Sequence, residues 1–135
     1  MSREAILEPD LPIIDPHHHV WERILPPLPP GPVHPFIEIF ARRPTSLFPE
    51  LLADLKSGHN VRATVHVECG WFYKADGPVH LRSVGETEFI NGVAATTASG
   101  VYGDIRACAG IVGNADCTLG DGIKEALEAQ TRSSK

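Results

Sequence analysis

Val61-Arg62-Ala63-Thr64-Val65-His66-Val67 alternates apolar and polar side chains without interruption. A period of two at this length is the pattern of a β-strand. On its N-terminal side Leu47, Leu51, Leu52 and Leu55 recur at the spacing of one helix face. Thr45 or Ser46 supplies a cap there, and Ser57-Gly58 a stop. On its C-terminal side a loop from Glu68 to Val84, containing Asp76-Gly77-Pro78, leads into a second helix over 85–99. Phe89, Ile90, Val93, Ala94 and Thr97 share one side of that helix, and Gly100 ends it. Ile105 to Val112 reads as another strand, and a third helix follows over 119–130 with Ile123, Ala126 and Leu127 inward. Residues 131–135 form a polar, frayed end.

Ahead of this block, Leu11-Pro12-Ile13-Ile14-Asp15 is a short apolar run that Pro12 keeps out of a helix, so the first strand falls near 11–16. Between it and the first helix lies a proline-rich arm from Glu22 to Pro35, with prolines at 26, 27, 29, 30, 32 and 35. Phe36 to Phe40 is either a helical turn or a continuation of that arm. Strands alternating with helices predict an α/β domain of parallel βαβ units with right-handed crossovers. Three strands are expected.

Composition sets the outer limits. The chain has 135 residues, 12 Lys and Arg against 17 Asp and Glu, and a net charge of -5. One domain spanning 1–135 is expected, with enough apolar side chains (42%) to build a core. The acidic balance argues against nucleic acid as a partner. No run of about 18 apolar residues suggests a membrane span, and Met1 to Ala5 has no apolar signal segment. Cys69, Cys108 and Cys117 are an odd set without a C-x-x-C pair, which points to the cytosol rather than to a disulfide framework.

Chemistry concentrates at Pro16-His17-His18-His19-Val20-Trp21. On a strand His17 and His19 face the same way and His18 the other. Asp15 shares the face of the outer pair in this reading. Two imidazoles at this spacing can hold one divalent ion, zinc first among them. The competing reading is a locally hydrogen-bonded or solvated cluster. Position favours the ion, because α/β folds place their sites at the carboxyl ends of strands.

Ile13 to Trp21 resembles the first-strand signature of the amidohydrolase-related family of the amidohydrolase superfamily. Ala63 to Gly70 with Val84 to Phe89, and Cys108 to Asp116, are similar to further stretches of the same family. The resemblance implies a metal-dependent TIM-type (β/α)8 barrel that hydrolyses lactones or amides, or decarboxylates small carboxylic acids. It implies His17 and His19 as metal ligands, with further ligands and the acid/base on later strands. A (β/α)8 barrel needs roughly 200 residues or more, so this chain is expected to hold an incomplete barrel of about three strands, paired in chain order as in a barrel. In the family pattern a histidine is expected where Asn114 stands.

No catalytic residue is assigned. Glu68, at the end of the second strand, and Asp116, after the third, are the candidate carboxylates. A surface ion pair for Glu68 and a helix cap for Asp116 are the competing readings. His66 reads as a packed histidine, and His34, His59 and His80 as solvated ones. Cys69 lacks a basic neighbour in sequence or a helix N-terminus and is not read as a nucleophile. Trp71-Phe72-Tyr73 either lines a pocket or packs against further protein. Two functional readings follow. One is a hydrolase or lyase with a small-molecule substrate, inactive as residues 1–135 alone. The other is a non-catalytic fragment that completes a barrel by association through its open sheet edges.

Overall fold

The computed structural model describes residues 4–23, 27–28 and 30–134. Its centre is a three-stranded parallel sheet formed by β1 (Ile13–His18), β4 (Val61–Val67) and β5 (Arg106–Val112), in the order β1-β4-β5. A two-residue antiparallel ladder joins β2 (Trp21–Glu22) to β3 (Thr45–Ser46). The helices are α1 (Pro35–Arg42), α2 (Phe48–Leu55), α3 (Val84–Ala98) and α4 (Ile123–Ser133). The α/β class, the parallel pairing and the chain-order arrangement of the three strands follow the sequence expectation. Among the described residues no helix is long and apolar enough to cross a membrane.

The proline-rich arm is shorter than its composition suggested. Glu22 belongs to β2, and Pro35 opens α1, where a missing N–H is no loss. His34 Nδ1 accepts from the Phe36 N–H at 3.2 Å and caps that helix, so His34 is not simply solvated. Pro26 and Pro29 lie outside the described residues. Thr45 and Ser46 do not cap α2, because they are spent in the ladder with β2. Glu50 instead reaches back from the first turn, its Oε2 accepting from the Leu47 N–H at 2.9 Å.

Three register shifts shape the sheet, the first between Ile13 and Ile14, which pair with Val61 and Ala63. Asp15 pairs with Thr64 and His18 with His66, so β1 carries an extra residue between these pairs. Ala63 pairs with Arg106 and Val65 with Gly110, so β5 is also bulged, and Cys108 sits inside the bulge with φ at 54°. The core lies between sheet and helices. Val20, Leu51, Leu55, Ile90, Val93, Ala107 and Cys108 form one buried cluster. Thr64 and His66 are buried too, whereas Val61, Ala63, Val65 and Val67 are only half-buried. The polar residues of β4 therefore face the helix layer. Leu127, expected inward, is half-exposed, and Ala126 is the buried residue of α4.

Candidate metal centre at the end of the first strand

The bulge in β1 sorts the three histidines. His17 and His19 are brought together, with Nε2 atoms 3.2 Å apart and rings edge-to-face. His18 turns away. Its Nε2 lies 2.8 Å from Thr64 Oγ1, its ring packs edge-on against His66, and Cys108 Sγ is 3.7 Å distant. Thr64 Oγ1 also accepts from the Cys108 N–H at 2.9 Å, which ties all three strands together. Burial, and then the neighbouring His66, pull His18 down to about 4, so it is neutral at pH 7. Asp15 does not share the face of the outer pair. The bulge sets it opposite Thr64, and its Oδ1 accepts from the His17 N–H at 3.1 Å.

His19 is held from behind. Its Nδ1–H donates to the Val67 carbonyl at 2.8 Å. In the neutral ring that bond leaves the lone pair on Nε2, which accepts from the His17 Nε2–H. With the His17 proton moved to Nδ1, both Nε2 lone pairs would be available to one ion. Two nitrogens, each about 2.0–2.1 Å from a tetrahedral zinc, stand roughly 3.3 Å apart. The observed separation fits that spacing, and an imidazole N–H anchored on a carbonyl is the usual support for a metal-bound histidine. His17 and His19 are thus the residues that fit an ion. No group of three or more His, Cys, Asp or Glu suited to an ion occurs among the described residues.

Val67 owes its position to a buried carboxylate that the sequence reading passed over. Glu86 Oε1 accepts from His66 Nε2–H at 3.2 Å and from the Cys69 N–H at 2.9 Å, and Oε2 accepts from the Gly70 N–H at 3.2 Å. Burial works to raise the Glu86 carboxyl, but the bonds from His66 and Cys69 outweigh it and hold the group below its ordinary value. The one signal in sequence was a glutamate in the first turn of a helix expected to pack on a histidine-bearing strand.

The remaining candidates are dispersed. Glu68 follows β4 directly, with its N–H donated to the Val112 carbonyl at 2.9 Å, and its side chain is half-buried. Asp116 is exposed and caps the 3-10 turn over Cys117–Gly122, its Oδ1 accepting from Thr118 Oγ1–H at 2.6 Å and the Thr118 N–H at 2.9 Å. The Thr118 hydroxyl, then its amide, hold that carboxyl below its ordinary value. The Asn114 carbonyl accepts from Ser83 and Gln130. His80 is not merely solvated, since its Nε2 stands 3.0 Å from Glu125 Oε2. Of the aromatic trio, Phe72 stacks on Phe89 and Trp71 faces the Arg23 guanidinium. Burial, then Glu86, push the Cys69 thiol up to about 12, which agrees with its being no nucleophile.

No family model, no curated protein and no solved structure matches the chain.

Proposed function

We propose that the chain carries the first βα units of a (β/α)8 barrel of the amidohydrolase-related type, and with them the first two ligands of its metal centre. The reaction class is hydrolysis of a lactone or amide, or decarboxylation, of a small carboxylic acid. The observation that carries this reading is the convergence of His17 and His19 Nε2 at 3.2 Å, with His19 Nδ1–H anchored on Val67 O. It is supported by the parallel, chain-order sheet and by the location of the pair at the carboxyl end of β1. The three free cysteines suit a reducing compartment, and the reading places the protein in the cytosol.

A divalent ion such as zinc would supply Lewis acidity toward a carbonyl oxygen and a bound water of lowered pKa. The chain's own residues do the positioning. Val67 O fixes the tautomer and ring plane of His19, and the Glu86 network holds the turn that follows Val67. His18, locked on Thr64, keeps the segment from rotating. Catalytic zinc sites usually have three protein ligands, so two imidazoles hold an ion weakly and residues 1–135 are expected to be inactive alone.

Calorimetric titration of zinc into the protein tests the site. One ion per chain is expected, with affinity that falls on acidification because protons compete for the same lone pairs. Loss of binding in a His17→Ala, His19→Ala double variant is the expected control. Unchanged binding in that variant, or no binding by the wild type, would remove the metal reading.

The second reading, association without catalysis, is favoured by one observation. The edge strands β1 and β5 present Ile14 at 67% and Val112 at 50% exposure. Sedimentation equilibrium at increasing concentration tests it, with a monomer throughout counting against it.

A further inference from the structure

Arg23 follows the candidate metal ligands by four positions and is fixed before its side chain begins. Its N–H donates to Pro44 O at 2.6 Å, and the neighbouring Trp21 Nε1–H donates to Arg43 O at 3.0 Å. The guanidinium carbon lies 3.7 Å from the Phe40 ring centroid, 5.0 Å from Trp71 and 5.9 Å from Trp21. Those rings brace one another: Trp21 meets Phe40 edge-to-face at 5.8 Å, and Phe40 meets Phe36 at 4.5 Å. Such contacts orient the guanidinium by its faces. They leave its in-plane N–H groups free to meet an acceptor.

One of those donors, Nε, has no acceptor among the described residues. Arg23 Nε is buried and makes no hydrogen bond among the described residues, and no described carboxylate lies within ion-pair distance of the guanidinium. Glu86, the buried acid closest in the fold to Cys69, has both oxygens occupied. A buried charged donor without a partner costs about 1–3 kcal/mol or more, a cost that an in-plane acceptor removes.

Arg23 also lines a cavity of about 230 Å³ with His19, Trp21, Phe36, Phe40 and Cys69. This is below the roughly 300–1,000 Å³ of sites for drug-sized ligands, so the occupant is small. The walls are aromatic, which suits a flat or apolar body. Among the described residues Arg23 is the cavity's one fixed cation, and Cys69 keeps its proton and does not neutralise it. One planar fork against aromatic walls suits a single carboxylate. A phosphate dianion calls for more cations or a nest of backbone amides.

We propose that Arg23 is the anchor for a ligand carboxylate, holding a small aromatic or apolar carboxylic acid in the cavity beside His19. The placement beside a metal-bearing His19 rests on the function proposed above. The anchor itself does not, and it is tested without metal. Benzoate is titrated into the metal-free protein, residues 1–135, while the arginine Nε–H resonances are followed by NMR, with neutral benzamide as the matched probe.

Saturable benzoate binding that shifts the Arg23 Nε–H signal is expected, with benzamide weaker by about tenfold or more. Arg23→Met keeps the apolar stem and should lose about tenfold in benzoate affinity, and Arg23→Lys should recover only part of it. Equal binding of benzoate and benzamide, or an unmoved Arg23 signal at saturation, would overturn the proposal, as would the absence of benzoate binding. The wild-type signal and the benzamide comparison decide the matter even if a variant misfolds. Failure of the separate zinc titration would sink the metal reading and leave the benzoate result standing.

Discussion

His66 Nε2–H donates to Glu86 Oε1 across 3.2 Å, and both side chains are sealed between β4 and α3. The same carboxylate accepts from the amides of Cys69 and Gly70. One buried acid thus couples the strand, the helix and the turn that leaves the strand. Val67, whose carbonyl orients His19, lies between its two points of attachment on β4 and the turn. The helix layer therefore sets the geometry of the histidine pair on the far side of the turn.

Glu86→Ala should destabilise the protein by about 3–5 kcal/mol, because it strands the donors of His66, Cys69 and Gly70 in the interior. Glu86→Gln keeps one acceptor oxygen and should cost less. The sign with pH follows from the lowered carboxyl. Its stabilisation is present above the ordinary glutamate value of about 4.3 and is lost as the pH falls through the lower folded-state value. Urea denaturation across a pH series checks both. A wild-type acid limb that Glu86→Gln leaves unchanged would assign it to other groups.

The α/β class and the three parallel strands were legible because strand and helix periods differ and alternate cleanly between 47 and 112. The pairing of His17 with His19 was legible from strand alternation alone. Asp15 was misplaced because a bulge is a matter of register, which depends on the partner strand. β2, β3 and the true cap of α2 were hidden because two-residue ladders carry no periodicity. Glu86 and Thr87 sit among the buried residues of α3 despite their polarity. Their partners, His66 in one case and Gln130 in the other, come from elsewhere in the chain. Arg23 was invisible as a site because two of the three rings around it, Phe40 and Trp71, come from distant positions.

Thr64→Val should cost about 1–3 kcal/mol, since the isosteric methyl leaves the Cys108 N–H unpaired inside the sheet and His18 Nε2 with only the Cys108 thiol at 3.7 Å. Thr64→Ser, which keeps the hydroxyl, should recover most of it. Thermal denaturation of the three proteins checks the order. A Thr64→Val protein as stable as the wild type would mean the hydroxyl is not a bridge.

The thiols should separate by reactivity. Burial pushes Cys108 up to about 12, and burial with Glu86 does the same for Cys69, whereas Cys117 is exposed. Iodoacetamide at pH 8 should label Cys117 alone in the folded protein and all three in urea. Mass spectrometry of the digested protein reads this directly, and rapid labelling of Cys69 would contradict the folded-state picture.

Gly85→Ala should destabilise, although alanine favours a helix by about 1 kcal/mol over glycine. A Cβ at Gly85 would run into the Phe72 carbonyl oxygen and stand 2.9 Å from Lys74 N, both backbone atoms. Phe72 is itself held at φ 61°, so the loop has little room to retreat. A net loss of about 1–3 kcal/mol is expected from the overpacking. A gain in stability would show that the loop yields.

Residues 1–135 should show no appreciable lactonase, amidase or decarboxylase turnover, with or without added zinc or manganese. Water activation needs an ion held firmly and a base within hydrogen-bond reach of the water. The chain offers two imidazoles, and no third ligand joins them among the described residues. Asp116 is engaged by Thr118 at the other end of its turn, and Glu68 does not complete the set. A chain with two imidazoles can still bind zinc and a carboxylate while failing at chemistry, because binding needs fewer groups than transition-state stabilisation does. Assays with a panel of simple lactones and aromatic carboxylic acids check the expectation. Metal-dependent turnover that vanishes in a His17→Ala, His19→Ala variant would show it wrong. It would mean that a second copy, meeting the first through the open edges of β1 or β5, brings the missing ligand and base.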